Sequence, residues 1–252
     1  MPAKKTTEPR IERTRRIIFR TFVGLLAALV GAGLLYSFGA FDPLVVKGGE
    51  YTIVPGTAPP AATAPITVTE FFSYGCVHCN DFDPQVESWR KDLPPGVTFA
   101  RSPVVFGSAV YAVYARAYFT LLGMGALDQN HSRLFAEIHQ RGRQMSDDLA
   151  IAQFVDGHGA TQETMRRAMT SPRVAARVDA AQLDEQKFGV QEIPALVVGG
   201  HYRIDIGNVG RAQALHIATR LIEAIRRGKA PGAPAAAALT TPATDAPAKP
   251  AS

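Results

Sequence analysis

The run Glu70-Phe71-Phe72-Ser73-Tyr74-Gly75-Cys76-Val77-His78-Cys79 decides how this chain is read, because a strand ends and a helix begins inside it. Ile66-Thr67-Val68-Thr69-Glu70-Phe71-Phe72 alternates branched and polar side chains with the period of a strand. After the turn residues Ser73, Tyr74 and Gly75, a helical pattern runs to about Lys91, so both cysteines fall at a helix start. A thiol reacts as its thiolate, and the unpaired N–H groups of a first helical turn favour negative charge, so Cys76 should ionise more readily than an ordinary cysteine. His78, when protonated, adds a second favourable charge. A low-pKa leaving thiol makes the corresponding disulfide more oxidising.

Cys76 and Cys79 are the two cysteines of a 252-residue chain, which rules out a disulfide framework of the kind that staples small secreted domains. Half a zinc site is one alternative, but there is no second cysteine pair, and His131, His139, His158, His201 and His216 lack ligand-type spacing. Covalent haem attachment needs a histidine directly after the second cysteine, where Asn80 stands. An inert surface pair is the remaining alternative. The expectation is a redox pair with no metal and no cofactor besides its own disulfide.

Outward from this centre, Val97 to Arg101 reads as a second strand with Pro103 to Phe106 extended behind it. Helical spacing then takes over: Ala109 to Leu122, Gln129 to Gln140, Asp147 to Asp156 with Ser146 as cap, a short helix capped by Thr161, and one from Ser171-Pro172 to about Lys187. The stripes Tyr111, Tyr114, Ala115, Tyr118 and Leu134, Phe135, Ile138 are read as core. Pro194 to Val198, a two-residue Gly199-Gly200 turn and His201 to Ile204 form a hairpin, followed by a helix over Val209 to Arg227. From Lys229 the Ala, Pro and Thr composition cannot offset the entropy of ordering, and a disordered tail is expected.

The formal charge of +5 sits before residue 42, where Lys4, Lys5, Arg10, Arg13, Arg15, Arg16 and Arg20 face Glu8 and Glu12. The other 20 basic and 20 acidic residues cancel, so the body of the chain has no excess to hold a nucleic acid. Nothing in the composition calls for an oligomer, and a monomer is expected. Thr21 to Phe41 is uncharged over 21 residues, a helix of about 31 Å that matches a hydrocarbon core. All seven basic residues precede it, which keeps the N-terminus cytoplasmic and sends the rest across the membrane. The run exceeds the roughly 7 to 15 residues of a signal-peptide core, which favours an uncleaved anchor. A leader cut after Gly39, with Ser37 two residues before it, is the second reading. A buried helix of a soluble protein is the third, and the preceding arginines count against it.

These segments resemble DsbA-type proteins of the thioredoxin superfamily. Residues 70–79 are similar to the family's active-site segment, and Glu192-Ile193-Pro194-Ala195-Leu196-Val197-Val198 to its cis-proline segment. The helical stretch between them follows the DsbA order, so the likeness covers about Gly48 to Arg227. It implies an α/β, thioredoxin-like fold with an inserted helical subdomain, joined to the expected N-terminal transmembrane helix. The core would occupy 66–106 and 189–227, and the insertion 107–188. Around them lie a basic cytoplasmic segment at 1–20, the anchor or signal peptide at 21–41, a linker with the first strand at 42–65 and the tail at 228–252.

By this resemblance Cys76 is the exposed nucleophile, Cys79 the buried resolving cysteine, and Pro194 a cis proline facing them. The Ile193 backbone would pair with an extended substrate. Glu70 matches the family's buried acid. The alternation separately puts it on the strand face of Ile66, Val68 and Phe72, where desolvation raises a carboxyl pKa and lets it exchange protons with Cys79. A solvent-facing Glu70 and an ordinary trans Pro194 are the plain alternatives. Pro84 matches a helix-kinking proline and is given no chemistry. Val77 departs from the proline-histidine dipeptide of the best-known DsbA, which leaves the redox potential open, while His78 is kept.

The resemblance implies a donor of disulfides to reduced, unfolded exported proteins, reoxidised by a DsbB-type membrane quinone reductase. The site would lie in the periplasm of a bacterium, tethered to the inner membrane or soluble after cleavage. A periplasmic reductase or isomerase is the alternative within enzymes. A non-catalytic binding module using the surface around Pro194 is the alternative outside them.

Overall fold

A computed structural model describes residues 8–37 and 49–232, in two compact units, 1–45 and 46–252. The described part of the first unit is one helix, α1 (Glu8–Ser37). Among the described residues no helix is long and apolar enough to cross a membrane. The expected span 21–41 is helical as far as Ser37, and residues 38–41 lie outside the described set. Charged residues recur in α1 as far as Arg20, which leaves 17 uncharged residues within it, about 26 Å against the roughly 30 Å of a hydrocarbon core.

The second unit is built on a five-stranded sheet ordered β1 (Thr52–Ile53), β5 (Tyr202–Asp205), β4 (Ala195–Val198), β2 (Ile66–Phe72) and β3 (Val97–Pro103). Within this sheet, among the described residues, only β2 and β3 run parallel. The connection between them is the helix α2 (Val77–Trp89), followed by a 3₁₀ turn over Arg90–Asp92. One sheet face presents Ile66, Val68, Leu196, Val198 and Ile204 to Phe82 and Val86 of α2 and to the apolar stripe of α9 (Arg211–Arg226). Trp89 Nε1 donates to Thr219 Oγ1 at 2.9 Å and pins α2 to α9. The opposite face carries Phe71, Ala195 and Val197 against Val104, Phe188 and Val190.

Between β3 and β4 stand five helices: α3 (Ala109–Met124), α4 (Leu127–His139), α5 (Asp148–Val155), α6 (Gln162–Met169) and α7 (Pro172–Lys187). Leu121, Leu134, Phe135, Ile151, Met165 and Met169 bury together, in the same cluster as Phe72, Tyr74 and both cysteines. The inserted helices and the active-site turn therefore share one core. Thr161 and Ser171 cap α6 and α7 as their sequence suggests, with Pro172 in the first turn.

Four details differ from the sequence reading. Asp147, not Ser146, caps α5, its carboxylate accepting from the Ala150 N–H at 2.8 Å. The β4–β5 turn has three residues, because Val198 pairs with Tyr202, although Gly199 and Gly200 do take φ of 60° and 66°. The expected helix over Val209 to Arg227 is α9 (Arg211–Arg226); it starts two residues later because Gly210, whose φ of 84° only glycine adopts readily, separates it from a short α8 (Ile206–Val209) that the sequence reading does not include. The stretch given to the disordered tail starts folded: Ala230 is buried, and Tyr202 Oη donates to the Pro231 carbonyl at 2.6 Å. Residues 233–252 lie outside the described set.

Candidate active site

The turn between β2 and α2 is held by its own backbone. The Cys76 N–H donates to the Ser73 carbonyl at 3.1 Å, and the Gly75 N–H to Ser73 Oγ at 3.3 Å. Gly75 packs so tightly on two rings that a Cβ there would lie 2.8 Å from Tyr114 Cε2 and 2.9 Å from Tyr111 Cε1. Cys76 is the N-cap of α2, with extended φ and ψ of −94° and 116°, and its sulfur accepts from the Cys79 N–H at 3.3 Å. Both cysteines are free thiols.

Cys76 is 9% exposed and Cys79 fully buried. The nucleophile is thus less open than the resemblance implies, because Ile193 packs against the cluster that holds both sulfurs. The Ile193–Pro194 peptide bond is cis, and Cys76 Sγ lies 3.6 Å from the Ile193 carbonyl oxygen. His78, Glu192, Ile193, Pro194, Ile206, Gly207, Gly210 and Arg211 border an open depression on this side. His78 is exposed at its rim, and Val77 beside it in sequence is exposed too.

The two thiols have opposite tendencies to ionise. The hydrogen bond from the Cys79 thiol lowers the Cys76 pKa to about 6, against the opposing effect of burial. The N–H groups of Cys79 and His78 and the charge of His78 help. Burial pushes Cys79 strongly upward, and its thiol donates to Cys76. At neutral pH the pair holds one thiolate, on the sulfur nearer solvent, and one thiol.

Glu70 is 2% exposed, and burial raises its pKa to about 7 in spite of Arg101. Its hydrogen-bonding partner is Arg101 and not Cys79. Register places Arg101 directly across from Glu70 on β3, and its Nε donates to Glu70 at 2.8 Å. The other arm of Arg101 reaches Asp83 at 3.0 Å and Glu87 at 2.9 Å, both on α2. Asp83 in turn bonds His131 Nε2 at 3.0 Å and Ser132 Oγ at 2.9 Å, and His131 Nδ1 lies 2.8 Å from Tyr74 Oη.

Sequence reasoning missed Arg101, Asp83 and His131 as members of the site. Two signals were available. Cys79, Asp83 and Glu87 are four apart, which stacks them on one helix face, and Arg101 shares its strand face with Val97 and Phe99. Nothing local pointed to His131, which arrives from the insertion.

Comparison with known proteins matches residues 67–216 to the DSBA-like thioredoxin domain. The thiol:disulfide interchange protein DsbA of Azotobacter vinelandii is 31% identical over 205 residues, 79% of this chain and 95% of that protein. Its counterpart from Pseudomonas aeruginosa is 30% identical over 200 residues, 79% of this chain and 94% of that protein. The crystal structure of Pseudomonas aeruginosa DsbA superposes with a TM-score of 0.67 at 31% identity, covering 73% of this chain and 96% of that one. The oxidoreductase DsbA from Xylella fastidiosa gives a TM-score of 0.67 at 28% identity, covering 73% and 99%.

Proposed function

Because the chain belongs to the DsbA-like family of thioredoxin-domain proteins, we propose that its thiol:disulfide interchange runs through Cys76 and Cys79, with Cys76 as the sulfur that meets substrate. The protein is a protein-disulfide oxidoreductase. The observation that carries the assignment of roles is the contrast between a Cys76 thiolate fed by the Cys79 N–H and thiol and a Cys79 closed off from solvent.

In the oxidising direction a substrate thiolate attacks Cys76 Sγ of the Cys76–Cys79 disulfide. The S–S bond breaks, its electron pair goes to Cys79, and a substrate–Cys76 mixed disulfide forms. Cys79 takes up a proton, which Glu70 can supply, since a carboxyl with a pKa of about 7 is part-protonated at neutral pH. A second substrate thiolate then attacks the substrate sulfur of the mixed disulfide and expels Cys76 as a thiolate. The substrate dithiol loses two electrons, and the enzyme disulfide gains them. The depression bordered by Ile193 and Pro194 offers an extended substrate the Ile193 backbone.

The stabilised Cys76 thiolate favours the dithiol and therefore a disulfide that is readily given away. The test is the redox equilibrium of the full-length chain against glutathione, read by alkylating free thiols. A dithiol that persists until the buffer is strongly oxidising supports the oxidant. A disulfide that resists reduction assigns the protein to the reductase side, with Val77 as the residue that moved it.

The substrates under this reading are reduced exported proteins in the periplasm, and reoxidation falls to a DsbB-type membrane quinone reductase. Residues 21–41 would hold the enzyme at the inner membrane, or a cut after Gly39 would remove the apolar segment as a leader. The anchor is supported by the large apolar side chains of α1 from Ile17 to Val30, which lie 46–67% exposed. Carbonate extraction decides between them: pelleting with membranes supports the anchor, and a soluble product starting at Ala40 supports the leader.

A further inference from the structure

The charges behind Cys79 do not balance. Three carboxyls, Glu70, Asp83 and Glu87, converge on the guanidinium of Arg101, and the one further guanidinium among the described residues, Arg90, pairs with Glu87, so three carboxylates meet two guanidiniums; the three acidic side chains are 2%, 6% and 26% exposed. A buried excess of negative charge beside a thiol that must itself ionise is costly, and a proton on one carboxyl relieves it. The hydrogen bonds decide which. Asp83 accepts three, from Arg101, His131 and Ser132. Glu87 accepts from Arg101 and Arg90. Glu70, the most deeply buried, accepts among the described residues from Arg101 Nε alone.

The donors that set Asp83 apart come from the insertion. A neutral His131 satisfies both its contacts, with the Tyr74 O–H donating to Nδ1 and Nε2–H donating to Asp83, and burial disfavours the imidazolium. What His131 gives Asp83 at neutral pH is therefore a hydrogen bond and not a full charge. Burial works against Asp83 ionising, but His131, Arg101 and Ser132 outweigh it and hold its pKa low. The titratable and charged groups facing Glu70 are Arg101 from β3, Cys79, Asp83 and Glu87 from α2, Tyr118 from α3 and Tyr74 from the turn, while β4 sets uncharged Leu196 beside it.

We propose that His131 is a positioning residue of the disulfide exchange: by keeping Asp83 ionised, it directs the exchangeable proton of the buried cluster to Glu70, next to Cys79. The inserted helical subdomain thereby has a part in the proton inventory of the thioredoxin core. This rests on the reading of Glu70 as the proton partner of Cys79, and the measurements below separate the two.

The experiment is a side-chain carboxyl NMR titration of the reduced full-length chain, with the Glu70 signal assigned by its loss in Glu70→Gln. His131→Phe keeps a ring among Phe72, Tyr74 and Phe135 but removes the donor to Asp83. The Glu70 midpoint is expected to fall by about one unit, a roughly tenfold change in its ionisation equilibrium. His131→Gln, which restores a donor, should recover most of the shift. In an Asp83→Asn background His131→Phe should add nothing, because the intermediary is gone. An unmoved midpoint in His131→Phe, or a shift that persists with Asp83→Asn, overturns the proposal. Should His131→Phe fail to fold, Ser132→Ala at an exposed position removes the neighbouring donor and must move the midpoint the same way. The pH profile for release of a Cys76 mixed disulfide by Cys79 tests the underlying reading: if Glu70→Gln leaves it unchanged, Glu70 is not the proton partner, whatever the titration shows.

Discussion

The main-chain N–H of Cys79 is aimed at the sulfur of Cys76 across 3.3 Å, so the second cysteine stabilises the ionised first one through its backbone as well as its thiol. The two contributions can be taken apart. In Cys79→Ala the N–H remains and the thiol donor goes. The alkylation midpoint of Cys76 should therefore rise from about 6 but stay below the ordinary 9. Iodoacetamide rates across pH measure it, and a midpoint back at the ordinary value would show that the backbone contributes nothing.

Glu70 should make folding stability fall with rising pH over a defined window. Its folded pKa of about 7 lies above the ordinary 4.5, so between those values the folded chain holds a proton that the unfolded chain has released. Stability is thus lost as pH rises through the window. Urea unfolding of the reduced protein and of Glu70→Gln at both ends should show the parent losing on the order of 3 kcal/mol relative to the variant. Equal pH slopes for the two proteins would contradict it.

At Gly75 a side chain has nowhere to go. Gly75→Ala pushes a methyl into the rings of Tyr111 and Tyr114, at an expected cost of about 1 to 3 kcal/mol. Because Cys76 follows directly, its thiolate contacts should be disturbed as well. The measurement is paired: thermal unfolding for the cost and the alkylation midpoint for the site. A variant of undiminished stability would mean that the tyrosines yield freely.

The cap of α5 offers a plain test of local structure. Asp147→Ala should destabilise by about 1 kcal/mol, since it strips the acceptor from the Ala150 N–H. Ser146→Ala, one residue earlier, should leave the denaturation midpoint where it is. The reverse order would return the cap to Ser146.

The parts of this fold that were legible are those governed by short-range rules. The alternation over Ile66 to Phe72, the Ser171-Pro172 helix start and the glycines of the β4–β5 turn each fix local geometry. All three stand in the structure, though the turn is one residue longer than the glycines suggest. Cys76 and Glu70 could be placed because spacing determines which strand face or helix end they occupy. What sequence could not give was register. Arg101 meets Glu70 because β2 and β3 pair in one alignment out of several, and nothing within either strand specifies it. His131 meets Asp83 across 48 residues, a contact set by how α4 docks on α2. Gly210 stands at the start of the expected last helix, and its φ of 84° makes it the residue before α9 rather than part of it.

The His139 Nε2–H donates to the Tyr74 carbonyl at 2.8 Å, two residues before Cys76, while His131 holds the ring of the same tyrosine. For anyone recombining this protein with a relative, the insertion is consequently not an interchangeable cassette. A chimaera that replaced residues 107–188 would import a stranger's grip on the catalytic turn. It would work as a redox enzyme only if Tyr74 and Asp83 were exchanged along with the helices that hold them.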